Sequence, residues 1–303
     1  MVRNGSTGRF PKEGAGRVWP GSLRVWARCF VVKIFDDMRK IIIFSLLAVV
    51  MASCGEYQRV QKSSDPDEKF EYAKRAFEQK KYVQAYTLLK DVVTIFKGSE
   101  KAEESLYLLG LSHYENKEYQ DAASYFQSYY SRFPKGKYAE MARFYSGYAY
   151  YLDSPEPQLD QSGTIRAIEE LQGFLDYFPR SEKVSIAQNA IFELRDKLTL
   201  KELQNAQLYY NLGNYLGNNY ESAVIVAKNA IKEYPYSNYK EELEMLVLKA
   251  RYQEASQSIE EKKADRFREV IDEYYSFINN YPEGQNREEA DNIFKIASHH
   301  VAD

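Results

Sequence analysis

The chain has 303 residues, 44% hydrophobic and 28% charged, enough to bury a sizeable core and too apolar for a disordered segment. Its formal net charge of −3 gives no basic footprint, which argues against nucleic acid as a partner. The departure from average composition is aromatic: 27 Tyr and 16 Phe stand against 2 Trp and 2 Cys, and rings at this density either pack between helices or line a binding surface.

Residues 1–37 mix Gly, Arg and Trp without helical or strand period and read as an extension upstream of the true start at Met38. Met38-Arg39-Lys40, the apolar run Ile41 to Val50 and the small residues Ala52 and Ser53 have the three regions of a secretory signal, residues 38–53. The run is too short to span a membrane, which takes about 20 apolar residues. Met51-Ala52-Ser53-Cys54 resembles a bacterial lipobox, with Met51 in place of the commonest leucine, so Cys54 is the expected lipidation site. With translation from Met38, Cys29 is never made, and no disulfide or thiol chemistry remains. Residues 54–65, polar up to Ser63, Ser64 and Asp65, read as a lipidated tether. Acyl chains contribute about 0.8 kcal/mol per buried methylene, so such a chain holds to a membrane without a spanning helix.

From Pro66 onward the sequence repeats itself. Leu106, Leu109, Gly110, His113, Ala122, Phe126 and Pro134 follow the tetratricopeptide spacing, with Leu106 and His113 replacing two aromatics. Ala73 lies 37 residues before Gly110, Ala85 lies 37 before Ala122, and Gly147 lies 37 after Gly110. The second helix of each pair ends in an aromatic and a proline: Phe133-Pro134, Phe178-Pro179, Tyr234-Pro235 and Tyr281-Pro282, with Phe96-Lys97 in the first pair. Proline stops a helix because it lacks the N–H and clashes with the preceding turn. Ala122, Ala167, Ala223 and Val270, twelve residues before each proline, are the slim positions where helices approach.

The expected fold is all-α, a tetratricopeptide-like superhelix of about five helical hairpins with a C-terminal capping helix near Arg287 to Ser298. Residues 66–135 hold repeats 1 and 2, residues 136–182 repeat 3, and residues 183–303 repeats 4 and 5 with the cap. Asp153-Ser154-Pro155-Glu156-Pro157 marks a loop inserted in repeat 3, and Ser185 to Tyr210, free of Pro and Gly, predicts a long first helix in repeat 4.

No phosphate loop, GxSxG elbow or HExxH occurs, and His299 and His300 lack partners for a metal, so no catalytic residue, metal or cofactor is assigned. Counting from the consensus glycine places Phe70, Lys74, Phe77, Tyr107, Tyr114, Phe144, Tyr148 and Tyr151 on the inner face of the first helices. Aromatic anchors with one cation suit an extended peptide whose carboxylate meets Lys74.

The order of lipobox, tether, five hairpins, inserted loop and long helix resembles the BamD family of outer-membrane lipoproteins. So does the run from Tyr177-Phe178-Pro179-Arg180-Ser181 through Leu194-Arg195-Asp196-Lys197-Leu198 to Tyr234-Pro235-Tyr236-Ser237. The resemblance implies a lipid-anchored, periplasm-facing scaffold of the β-barrel assembly machinery. It also implies contact with the periplasmic domains of a BamA-like barrel protein through a surface including Arg195, Tyr234, Pro235, Tyr236 and Ser237. Unfolded barrel segments would take the groove of the early repeats. Rival expectations are a periplasmic tetratricopeptide lipoprotein organising cell-wall or polysaccharide machinery, and a glycan receptor whose tyrosines stack on sugars.

Overall fold

The computed structural model describes residues 55–301. The expected upstream extension, the signal and Cys54 lie outside the described residues. The chain divides into two units, residues 1–63 and 64–303. Within the first, the tether is helical over residues 55–62.

The second unit is a tetratricopeptide-like stack, and among the described residues it has no strand. Its hairpins are α1 (Pro66–Glu78) with α2 (Tyr82–Ile95), α3 (Glu100–Glu115) with α4 (Tyr119–Arg132), and α5 (Ala139–Asp153) with α6 (Ser162–Tyr177). The later two are α7 (Val184–Leu212) with α8 (Asn219–Glu233) and α9 (Lys240–Ser256) with α10 (Glu260–Asn280), followed by α11 (Arg287–His299). Each helix packs chiefly on its neighbours in sequence. The cap α11 buries Ala290, Ile293 and Ala297 and turns acidic and basic side chains outward, as a terminal repeat must.

Close approach explains the small residues. A Cβ on Gly110 would come within 2.9 Å of the Phe126 ring, and one on Gly147 within 2.8 Å of the Leu171 backbone nitrogen. On the second helices Ala85, Ala122, Ala167, Ala223 and Val270 are all fully buried.

The second helices stop as the sequence predicts, and proline shapes how. Phe96, Phe133, Phe178, Tyr234 and Tyr281 are the C-caps, their amides donating to Val92, Tyr129, Phe174, Ala230 and Phe277. The four that precede proline share φ between −122° and −133° and ψ between 58° and 67°. Phe96, followed by Lys97, stays at φ −76° and ψ 8°. Proline's ring pushes the preceding residue off the helical region; the first hairpin turns instead at Gly98, φ +87°.

Two residues after each proline stands Gly136, Ser181, Ser237 or Gly284, and a carboxylate from the preceding first helix meets that turn. Glu103 accepts from the Lys137 amide at 2.5 Å and the buried Tyr129 hydroxyl at 2.5 Å. Glu140 accepts from Ser181 Oγ at 2.6 Å. Asp196 accepts from Ser237 Oγ at 2.6 Å and from the Asn238 amide and Nδ2 at 3.0 and 2.5 Å. Glu241 accepts from the Asn286 amide at 3.2 Å. Glycine is required where a Cβ would lie 2.5 Å from the carboxylate, as at Gly136 and Gly284. Charge-assisted hydrogen bonds of this kind latch one hairpin to the next.

Helix α7 is 29 residues long, and its extra turns hold the loop inserted between α5 and α6. Lys197 donates to the Ser154 carbonyl and hydroxyl at 3.1 and 2.7 Å, and Lys201 to the Leu159 carbonyl at 3.1 Å. Burial lowers the pKa of Lys197.

Candidate partner-binding surfaces

Of the inner-face residues, Tyr114, Tyr148 and Tyr151 are half-buried and join a continuous ladder of rings. Centroid distances run 5.7 Å from Tyr119 to Tyr114, 4.9 Å to Tyr145, 5.5 Å to Phe144, 5.1 Å to Tyr148 and 5.1 Å to Tyr151. Tyr151 donates to Glu193 at 2.5 Å, and that bond, then burial, pushes its hydroxyl up to about 12. Burial raises the Tyr114 hydroxyl further. At neutral pH both are therefore protonated donors on an amphipathic surface.

The other inner-face residues differ in exposure. Phe70 and Phe144 are 2% and 3% exposed, packed edge-on against Phe96 at 5.7 Å and Phe174 at 5.5 Å. Their rings serve the interior. Phe77 is half-buried against Tyr82, and Tyr107 stacks on Tyr138 at 4.3 Å. Lys74 ion-pairs with Glu104 at 2.8 Å, and that hydrogen bond is the main reason its pKa is raised. A peptide carboxylate would have to compete with Glu104 for it. Sequence reasoning missed Tyr119, Tyr145 and Glu193. For Tyr119 a signal existed, since Phe77 with Tyr82 and Tyr114 with Tyr119 recur at the 37-residue period.

A second surface lies between α6, α7 and the turn after α8. Arg195, Tyr234, Pro235, Tyr236 and Ser237 line one cleft of about 360 Å³, over Leu175 and Ile191. Phe192 and Tyr236 in that lining are 43% and 87% exposed, large apolar surface for a position facing water. Arg195 is exposed and makes no ion pair among the described residues. The Asp196 latch holds the turn that forms one wall. Burial, then Glu233, pushes the Tyr234 hydroxyl up to about 12.

His113 lies between Tyr86 and Tyr125, stacked at 4.2 and 5.1 Å, with Nδ1 2.5 Å from Glu118 and Nε2 buried without a hydrogen-bond partner. Burial lowers its pKa despite that carboxylate. Its ligand atoms, those of Glu118 and those of Asp121 lie within 4.8 Å of one another. The ring stands at a repeat consensus position filled by packing, and the Glu118 contact closes the turn from α3 to α4.

Stacked hairpins with a half-buried tyrosine ladder and an open cleft beside the exposed Arg195 form a helical-repeat array with two candidate binding surfaces. The chain matches the YfiO family, described as outer membrane lipoprotein, over residues 62–218, a little over half its length. It belongs to this BamD-like family of outer membrane lipoproteins. A Caulobacter vibrioides protein named outer membrane protein assembly factor BamD is 25% identical over 118 residues, 39% of either chain. The alignment thus spans about two fifths of that relative. The family match takes in the ladder and Arg195 and ends before Tyr234. No helix among the described residues is long and apolar enough to cross a membrane.

Proposed function

We propose that the protein is a periplasm-facing scaffold of β-barrel assembly, anchored to the outer membrane through lipid on Cys54, and that it acts by binding and not by catalysis. The observation that carries this reading is the meeting of Arg195 with Tyr234 to Ser237, about 40 residues apart, in one cleft with exposed aromatic walls. An unpaired guanidinium beside exposed rings is the composition of an interface hot spot. In this reading the cleft receives the periplasmic domains of a BamA-like barrel subunit. The ladder from Tyr119 to Tyr151 receives extended segments of unfolded barrel proteins, whose alternate side chains meet its rings. Family membership and the Caulobacter relative's printed name support the assembly role.

Affinity purification of the natively lipidated protein in mild detergent, followed by mass spectrometry, tests the reading. A BamA-like barrel protein should be the dominant partner, and Arg195→Glu should abolish its recovery. Recovery of cell-wall or glycan-uptake proteins in its place would refute the assembly role.

A further inference from the structure

The Arg195 cleft has counterparts along the array, because every pair of successive hairpins meets in the same way. The end of one second helix, the next first helix and the end of the next second helix enclose a trough. Three residues before the cap aromatics, the side chain reaching into it is Val93, Tyr130, Leu175 or Ile231.

Between the second and third hairpins the trough is plugged. Arg143 lies 4.3 Å from the Tyr130 ring centroid and 3.8 Å from that of Tyr177, while Glu170 accepts from Tyr130 and Ser146. Between the fourth and fifth, the ion pair of Lys228 and Glu273 crosses it. Between the first and second, the positions of Tyr130, Arg143 and Tyr177 are taken by Val93, Leu106 and Arg132, and no plug forms. What results is a cavity of about 750 Å³, twice the Arg195 cleft.

Its floor is apolar, with Val93, Ala102, Leu106 and Phe133, and no acidic side chain lines it. Lys97 and Arg132 stand in the lining, and neither side chain makes an ion pair or hydrogen bond among the described residues. A single leucine or phenylalanine side chain, on the order of 100 Å³, would leave most of this space empty, whereas ligand cavities run from about 300 to 1,000 Å³. An acyl chain fits such a space, and an anionic head fits its two free cations. A protein of an outer membrane lipoprotein family sits where both are abundant.

We propose that this cavity binds an acyl chain of an anionic phospholipid, with the headgroup on Lys97 and Arg132. Lipid would then grip the first two hairpins directly, in addition to any covalent anchor. Each methylene buried would strengthen binding roughly fourfold.

The test uses the full-length natively lipidated protein in vesicles carrying a few per cent of phosphatidylglycerol with a photoactivatable group in its acyl chain. Peptide mapping should find adducts on the segments around Val93 and Ala102. Labelling should fall roughly tenfold in the double variant Lys97→Gln and Arg132→Gln, the weight of losing charge-assisted contacts. It should also fall in Val93→Tyr, which copies the plug of the next trough, and persist in Arg132→Lys. Photoactivatable phosphatidylcholine of the same chain should label several-fold less. Because Lys97 and Arg132 also complement the negative ends of α2 and α4, melting curves of each variant separate lost binding from lost fold. Adducts elsewhere only, equal labelling by the two headgroups, or labelling unchanged in both variants would overturn the proposal.

Discussion

Asp196 lines the proposed interface, but its carboxylate is engaged by the cleft's own wall, so its removal should weaken the interface through that wall. Its carboxylate takes three hydrogen bonds from Ser237 and Asn238, fixing the turn that carries Tyr234, Pro235 and Tyr236 against α7. Hydrogen bonds to a charged acceptor contribute about 1.5–3 kcal/mol when buried. Asn238 is exposed and regains water when the carboxylate goes, so the half-buried Ser237 contact carries most of the cost. Asp196→Ala should therefore destabilise by about 2 kcal/mol. In a unit of this size that lowers the melting temperature by roughly 4–8 °C. A loosened turn must be re-ordered on binding, so affinity for the barrel subunit's periplasmic domains should fall about five- to tenfold. Glu241→Ala is the control: it removes the equivalent latch at the Asn286 turn, beyond the cleft. Differential scanning fluorimetry and calorimetric titration read the two effects. An unchanged melting temperature in Asp196→Ala would refute the latch, and equal loss of binding in Glu241→Ala would refute its local action on the cleft.

Three other outcomes follow from the packing. Gly147→Ala should cost about 1–3 kcal/mol by chemical denaturation and more than Gly110→Ala, because its Cβ meets the Leu171 backbone whereas Phe126 can shift its ring. Lys197→Met should release the loop over residues 154–161, seen as faster amide exchange and proteolysis there, with α7 still protected. Acidification should destabilise the protein through His113 and Glu118, both of which have lowered pKa values. The unfolded chain binds the histidine proton more readily, so the stability present above about pH 6.5 is lost as pH falls. The carboxylate adds to the loss below about pH 4.3. His113→Phe should flatten the melting temperature between pH 7.5 and 5; a profile as steep as the unsubstituted protein's would place the sensitive group elsewhere.

The fold was legible because its punctuation is local. An aromatic before proline both caps the helix and leaves the helical region, so Phe133, Phe178, Tyr234 and Tyr281 announce four hairpins within two residues each. The 37-residue period and the slim positions supply the rest. Surface assignment is harder, because a helical face read by counting includes residues that the next hairpin covers. Phe70 and Phe144 hold the same register as the half-buried Tyr107 and yet are interior. Lys74 reads as a free cation until Glu104, 30 residues on, is seen beside it. The latches escaped notice for the same reason, although the recurring glycine or serine two residues after each proline was visible all along.

Hairpin geometry and surface chemistry are set by different residues in this array, and that separation leaves the surface of each trough free to vary. The cap aromatic, the slim residue and the latch carboxylate fix how hairpins stack, and each is tied to buried backbone or ring contacts that tolerate little change. The side chain three residues before the cap has no such duty, and it varies from Val93 through Tyr130 and Leu175 to Ile231 while the backbone around it repeats. Where that side chain is tyrosine and the facing helix offers Arg143, the trough is filled by its own charges and rings. Where it is valine or leucine, the same trough is open, and the cations beside it, Lys97 and Arg132 or Arg195, make no ion pair among the described residues. Opening a trough forgoes cation–π and hydrogen-bond stabilisation of about 1–3 kcal/mol that the plugged trough keeps. A stack of five hairpins can lose that much at two junctions and stay folded, because its stability is a sum over many interfaces.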